Sequence, residues 1–304
     1  MNFNEKEYLN SFRGEDGINI EGSITYIKNT LPEKFYKFYS LETENDDRTF
    51  KTLSEAKVWF GKANTMNDPF EFKNLCISEE KLLEYIKKMP ILKNLEGTPK
   101  YKEKYEMEVK RRLKQLESDN KFLDEVFKQK LEIFCVSKNV LRNISMWAHY
   151  TNNHQGFVLE FELVEKNNKD LFNLKPVLYE DNLCKLSYSF IEKLMEIGRE
   201  SLTEEYMKES KRKMDGMFQF IFILCSCKDK SWTSEEEYRF FKTSDADKGE
   251  LISFADANLK LTAIYSGVNI SIENKEKLKY IANCLGVAFK EMKTSNNEYK
   301  FEEL

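Results

Sequence analysis

A chain of 304 residues with 41% hydrophobic, 13% aromatic and 33% charged side chains carries enough apolar surface for a substantial core, which excludes a disordered polymer. Its 48 Lys and Arg against 52 Asp and Glu leave a net charge of −4. That excludes a uniformly basic, sequence-blind nucleic-acid binder, while a local basic patch stays open. No apolar run approaches the ~20 residues of a membrane span, and residues 1–12 lack a basic-then-apolar leader pattern. The expectation is a cytoplasmic protein with no membrane partner and with reduced thiols.

The stretch up to about residue 30 reads as helical or irregular, with Ile24 to Ile27 as its one short apolar-rich run. Phe35 to Tyr39 is short and aromatic, as a strand is. A helical turn over Leu53 to Ala56 follows, then a strand over Val58 to Phe60 and the loop Asn67-Asp68-Pro69-Phe70-Glu71. Residues 79–130 are highly charged, with apolar positions at helical spacing such as Tyr105, Val109, Leu113 and Leu116. They predict two or three amphipathic helices that cover a sheet, with a coiled coil or partner surface as the alternative. Strands follow at Ile133 to Ser137, Gly156 to Phe161 and Pro176 to Tyr179, with a short helix over Ser145 to Tyr150. A second helical insert spans about 186–218 and leads into an apolar run over 218–225. Tyr238 to Phe241, Leu251 to Phe254, Leu261 to Tyr265 and Val287 to Phe289 complete the strands, with a helix at about 274–285. Strands joined across long helical inserts predict an α+β fold over residues 1–304 as one domain, built on a mixed, mostly antiparallel central sheet rather than a doubly wound one.

Three places concentrate polar chemistry. The only two histidines, His149 and His154, lie five apart in Met146-Trp147-Ala148-His149-Tyr150-Thr151-Asn152-Asn153-His154-Gln155-Gly156. Imidazole is a donor, acceptor or base near neutral pH, but a spacing of five puts two rings on different helix faces, which disfavours a zinc pair. The bland reading has His149 capping a helix end and His154 bonding a loop carbonyl. Trp232-Thr233-Ser234-Glu235-Glu236-Glu237-Tyr238-Arg239 is the second place. Three adjacent carboxylates repel one another unless a cation sits among them. If 235–241 is extended, Glu235, Glu237, Arg239 and Phe241 share one face. Either Arg239 is an internal counter-ion, or Glu235 or Glu237 faces a ligand. In the third, Asn67-Asp68-Pro69 sets a tight turn that Asp68 can cap. The six cysteines, at 76, 135, 184, 225, 227 and 284, show no two-residue gap and read as buried apolar thiols. There is no phosphate loop, nucleophile elbow or zinc-protease helix.

Taken with the opening Phe35-Tyr36-Lys37-Phe38, these blocks resemble, in order, the pattern of the bacterial domain of unknown function 2971 family over about residues 35–270. Tyr39 departs from that family's basic residue. The layout is in turn similar to ADP-ribosyltransferases and RNA 2′-phosphotransferases, whose late Glu-x-Glu strand Glu235-Glu236-Glu237 resembles. Lys37 stands where His or Arg is expected there, and no Ser-Thr-Ser motif is present.

The resemblance implies an ADP-ribosyltransferase-like fold and NAD as substrate, without a metal. Glu237 would be the catalytic carboxylate for an oxocarbenium-like transition state, and Glu235 would position the acceptor, a protein or nucleic acid. His149 would join them in the cleft. Tyr36 and Lys37 would contact ribose or phosphate, and Trp147, Tyr150, His149 and His154 would shape the nicotinamide pocket. Two other classes compete: a metal-dependent hydrolase or nuclease on His149, His154 and Asp68, and a non-catalytic sensor of a defence system whose motifs lock the fold, with a protein partner on the insert 79–130.

Overall fold

The computed structural model describes residues 3–14, 17–41, 46–73, 77–182, 215, 218–219 and 221–304. Most of the second helical insert, the residues Cys76, Cys184 and Phe220 lie outside them.

The chain opens with α1 (Glu5–Ser11), the paired residues β1 (Arg13–Gly14) and β2 (Gly17–Ile18), and α2 (Ile20–Thr30). Asn4 and Asn19 cap the two helices by accepting from the amides of Glu7 and Gly22. α2 buries Ser23, Ile24, Ile27 and Thr30, one stripe at helical spacing. Then come β3 (Phe35–Tyr39), α3 (Asp46–Ser54) and β4 (Lys57–Lys62). The charged insert forms α4 (Glu79–Lys88), α5 (Pro90–Lys93) and α6 (Lys100–Lys130); Pro90, which cannot continue α4, starts α5 at its first turn. β5 (Leu131–Ser137), α7 (Ile144–Tyr150), β6 (Phe157–Leu163), α8 (Asn168–Phe172), β7 (Leu174–Pro176) and β8 (Leu178–Glu180) follow. Beyond the second insert stand β9 (Cys227–Asp229), a 3-10 helix over Lys230–Glu235, β10 (Glu237–Thr243), β11 (Glu250–Ser253), β12 (Leu259–Ser266), α9 (Ile272–Leu285), β13 (Ala288–Thr294) and β14 (Phe301–Glu303).

The architecture is α+β, and its large sheet is mixed and mostly antiparallel: β12 and β13 are its parallel neighbours among the described residues. The sheet forks at β5. β10 pairs along the whole of β5, and its far edge takes β7. The other edge of β5 is shared by β4, opposite Glu132 and Ile133, and by β3, opposite Ser137. β4 continues to β11, while β3 continues through β6, β12, β13 and β14. Strand alternation sorts the core. Phe134 and Val136 of β5, with Tyr238 and Phe240 of β10, join an apolar cluster under α1, α2, α3 and α9. Leu131, Ile133 and Phe241 join one under α4, α5 and α6. A third cluster packs Trp147 of α7 against Phe38, Val158 and Tyr265.

The apolar run over 218–225 takes a definite form, and one local expectation is corrected. The run before Cys225 is helical over Ile221–Leu224, and the Cys225 amide closes on the Ile221 carbonyl at 2.8 Å. A short run of Ile, Phe and Leu fits a buried helix as well as a strand. Cys225 therefore follows a helix, whereas Cys227 opens β9. Residues 176–179 are two strands in two sheets, because the Val177 amide turns to the Glu237 carbonyl at 2.9 Å. β7 stays on β10, and β8 pairs with β9.

Lys175 of β7 is fully buried and has no carboxylate partner among the described residues. Its Nζ donates to the carbonyls of Phe172 at 2.6 Å, Leu174 at 3.2 Å and Leu171 at 3.4 Å. Burial pushes its pKa down to about 7. The unfolded chain then binds a proton that the folded one refuses between pH 7 and the ordinary lysine range, so stability rises with pH across that window. The rise is expected to reach at most roughly 5 kcal/mol, and Lys175→Met should abolish it while stabilising the protein at pH 7. Urea denaturation of both proteins from pH 6.5 to 10 checks this; parallel curves would show that Lys175 stays charged.

Candidate functional site

The three polar blocks of the sequence meet at one buried ion cluster. In the block from Trp232, Asp229 caps the 3-10 helix by accepting from the Ser231 amide, and Glu236 closes the turn at φ +45°. That left-handed residue throws its own side chain outward to Lys138, at 3.0 Å, and leaves Glu235 and Glu237 both pointing inward. The glutamates converge through this kink, not through an extended strand running from Glu235. In the loop block, Asp68 accepts from the Phe70 amide at 2.8 Å and so fixes the turn after Asn67 that aims Glu71 inward.

Arg239 is completely buried and grips two carboxylates. Its Nη1 and Nη2 donate to Glu71 at 2.7 and 2.8 Å, and its Nε and Nη2 to Glu237 at 2.9 and 3.3 Å. The guanidinium fork offers each carboxylate two donors. Nη1 also donates to the Cys225 carbonyl. Lys228 closes the cluster from the cavity side, 2.6 Å from Glu235, 2.9 Å from Glu237 and 3.5 Å from Glu71. The Tyr150 hydroxyl donates to Glu235, and the Glu237 amide donates to the Tyr179 hydroxyl at 2.9 Å.

Three carboxylates and two cations thus share a buried site, and the acidities of Glu235 and Glu237 split. Burial pushes Glu237 up, but Arg239 and Lys228 outweigh it and hold the carboxyl well below the usual range. Glu235 goes the other way: burial and the Glu237 charge raise it against the pull of Lys228. Burial and the bond to Glu235 raise the Tyr150 phenol. Glu237 is the locked anion of the pair, and Glu235 is the one that takes up a proton first.

A cavity of about 400 Å³ opens beside the cluster. Phe70, 57% exposed, and Trp232 give it aromatic walls, and Lys228, whose Nζ lies 5.3 Å from the Trp232 ring centroid, reaches it from the cluster. Asp68, Glu180, Asp181 and Asp229 give it an acidic lining.

A family sequence profile, described as Protein of unknown function (DUF2971), matches residues 146–240. The matched stretch carries Tyr150, Lys228, Glu235, Glu237 and Arg239, and so contains most of the cluster; Glu71 is supplied from outside it. No curated protein and no solved structure matches the chain.

The remaining predicted site residues fall elsewhere. On α7, Trp147 and Tyr150 are three apart and face inward, whereas His149 is exposed on the other side. The helix presents Tyr150, not His149, to the glutamates. Trp147 is buried as a packing residue: its Nε1 donates to the Val140 carbonyl at 2.8 Å, and its ring meets Phe38 at 5.5 Å. His154 stands at φ +66° in a turn of three left-handed residues with Asn152 and Asn153, its ring 5.5 Å from Phe301. Burial lowers its pKa. Lys37 lies over the Phe134 ring at 5.3 Å. Among the described residues no group of three or more His, Cys, Asp and Glu is placed to hold a metal.

Tyr36 shares a register row with Glu237, through Ser137, two strands away. Its hydroxyl instead meets Glu160, at 3.3 Å, in a second polar cluster. There the buried Glu160 also accepts from Lys34 at 2.6 Å and from the Tyr265 and Thr262 hydroxyls at 2.7 Å each. Lys228, Tyr179 and Glu160 are the polar residues that sequence reasoning missed. The one available signal for Lys228 was the glutamate triplet itself, which demands a cation without saying which.

Proposed function

We propose that this protein is a ligand-binding sensor whose site is the cavity between Phe70 and Trp232, with the ion cluster as its rigid floor. The observation that supports this most is the position of Lys228, which lines the cavity while it is held by Glu235 and Glu237. A ligand that shifts Lys228 disturbs the cluster and, through it, the loop of Glu71, α7 and β10. Two aromatic walls favour a flat ring, and four carboxylates against one already engaged ammonium favour a cation or a hydroxylated sugar over a diphosphate. The nicotinamide riboside end of NAD has that chemistry. In a sensor, the outer face of the long helix α6 is the surface offered to a protein partner.

NAD-dependent ADP-ribosyl transfer is the second reading, and Glu235 is the observation in its favour. A carboxyl with raised affinity for protons, bonded to a tyrosine, suits proton exchange with an acceptor. Glu237, gripped by Arg239 and Lys228, is poorly suited to follow charge developing on a ribose. One experiment separates the readings. Purified protein is incubated with NAD, with and without cell extract and chelator, and nicotinamide is measured beside a thermal shift with nicotinamide riboside. The sensor reading expects a shift that Trp232→Leu abolishes and no nicotinamide release. Release that persists in chelator and disappears in Glu235→Gln would replace it with the transferase, and no shift with no release would defeat both.

A further inference from the structure

A second cavity, of about 390 Å³, lies in the fork of the sheet, where β4 parts from β3 and α3 bridges the two. From α3 it receives Arg48, Thr49 and Thr52, from β4 Lys57 and Trp59, and from β3 Tyr39. We infer that this cavity is a binding site for a small planar aromatic anion, which stacks on Trp59 and pairs with Arg48.

The indole of Trp59 is 41% exposed although it belongs to a paired strand, so a large ring face is open to a ligand. The ring is nonetheless held in place. A Cβ on Gly249 would stand 2.7 Å from the indole Cζ2, so the absence of a side chain there lets the ring lie close against the backbone before β11. The Arg48 guanidinium sits 5.7 Å from the Trp59 ring centroid and makes no hydrogen bond or ion pair among the described residues. A guanidinium beside an aromatic face, with its forked donors unengaged, is matched to a carboxylate or phosphate carried on a ring. The hydroxyls of Thr49, Thr52 and Tyr39 likewise have no hydrogen-bond partner among the described residues.

Charge sets the sign of the ligand. Lys57 adds a second cation, held 2.8 Å from Glu55, and no carboxylate is among the described residues that line this cavity. The acidic cavity beside the ion cluster has the opposite character, so the two sites select different ligands. The volume suits a ring with one anionic group. A nucleoside monophosphate and an aromatic carboxylate both supply that chemistry.

Isothermal titration of the whole protein with adenosine monophosphate and with 4-hydroxybenzoate distinguishes the two sources; adenosine and inorganic phosphate are the controls lacking the anion or the ring. At least one of the two ring anions is expected to bind, and Arg48→Gln and Trp59→Leu should each weaken it tenfold or more. Adenosine should bind weakly and be indifferent to Arg48→Gln. Arg48 is exposed and makes no hydrogen bond or ion pair among the described residues, so its replacement tests binding even if Trp59→Leu perturbs folding. Failure of both ring anions to bind at millimolar concentration, or binding that Arg48→Gln leaves unchanged, would overturn the site.

Discussion

Replacing Arg239 by Met is expected to destabilise the protein by roughly 3–5 kcal/mol, because it strands carboxylates that the fold has removed from water. Arg239 is fully buried and supplies the bidentate partner of Glu71 and the closest cation to the Glu237 Oε1. Without it, three buried carboxylates face Lys228 alone. The loss should fall by at least a third when Glu71→Gln is added, since one stranded charge is then gone; that recovery separates ionic locking from lost packing. Glu237→Gln should also destabilise at pH 7. The folded carboxyl of Glu237 lies below its ordinary value, so its contribution is present above about pH 4.5 and is lost as the pH falls toward the folded value. Wild-type protein should therefore lose stability below pH 4.5 more steeply than Glu237→Gln. Urea denaturation of the single and double variants from pH 3 to 7 measures all of this. A change under 1 kcal/mol for Arg239→Met would mean that the cluster does not hold the fold.

Gly156→Ala should be at least as damaging, and for a reason that no side-chain contact reveals. A Cβ at this position would stand 2.0 Å from the Tyr39 carbonyl oxygen and 3.0 Å from the Thr151 Cβ. The backbone cannot move away, since the Gly156 amide donates to the Thr151 carbonyl at 2.8 Å and the Gly156 carbonyl accepts from Gly267 at 2.9 Å. Gly267 is just as confined, with a Cβ 2.1 Å from the His154 carbonyl oxygen. Overpacking against backbone on two sides is expected to exceed about 3 kcal/mol or to prevent accumulation of folded protein. Gly97, at φ +78° with open space around it, is the control, and Gly97→Ala should lose only about 1 kcal/mol from backbone strain. Equal effects of the two substitutions would show that the turn at 151–156 yields.

The wrap of that turn explains the role of the histidine block better than imidazole chemistry does. Asn152, Asn153 and His154 all take left-handed dihedrals, and the loop is stitched to Gly267 and Asn269 by backbone bonds. The block shapes a close crossing of two chain segments, and its one contribution to the ion cluster is Tyr150.

Much of the architecture was legible locally. Short aromatic-rich runs marked β3 and β10, the helical stripe of Tyr105, Val109, Leu113 and Leu116 marked α6, and Asn-Asp-Pro marked its turn. Period, capping and turn chemistry act between near neighbours, so a sequence displays them directly. The glutamate triplet also announced that a cation had to be close, and Arg239 was the local candidate. Only the tertiary structure decided that Glu71 and Lys228, far apart in the chain, complete the cluster; that Glu236 at φ +45° turns Glu235 and Glu237 inward; and that Tyr150 rather than His149 reaches them. The fork at β5 that opens the cavity under Trp59 was equally invisible. Buried charges pair across whatever strands the sheet sets side by side, and that choice belongs to the register of the whole sheet rather than to any segment of it.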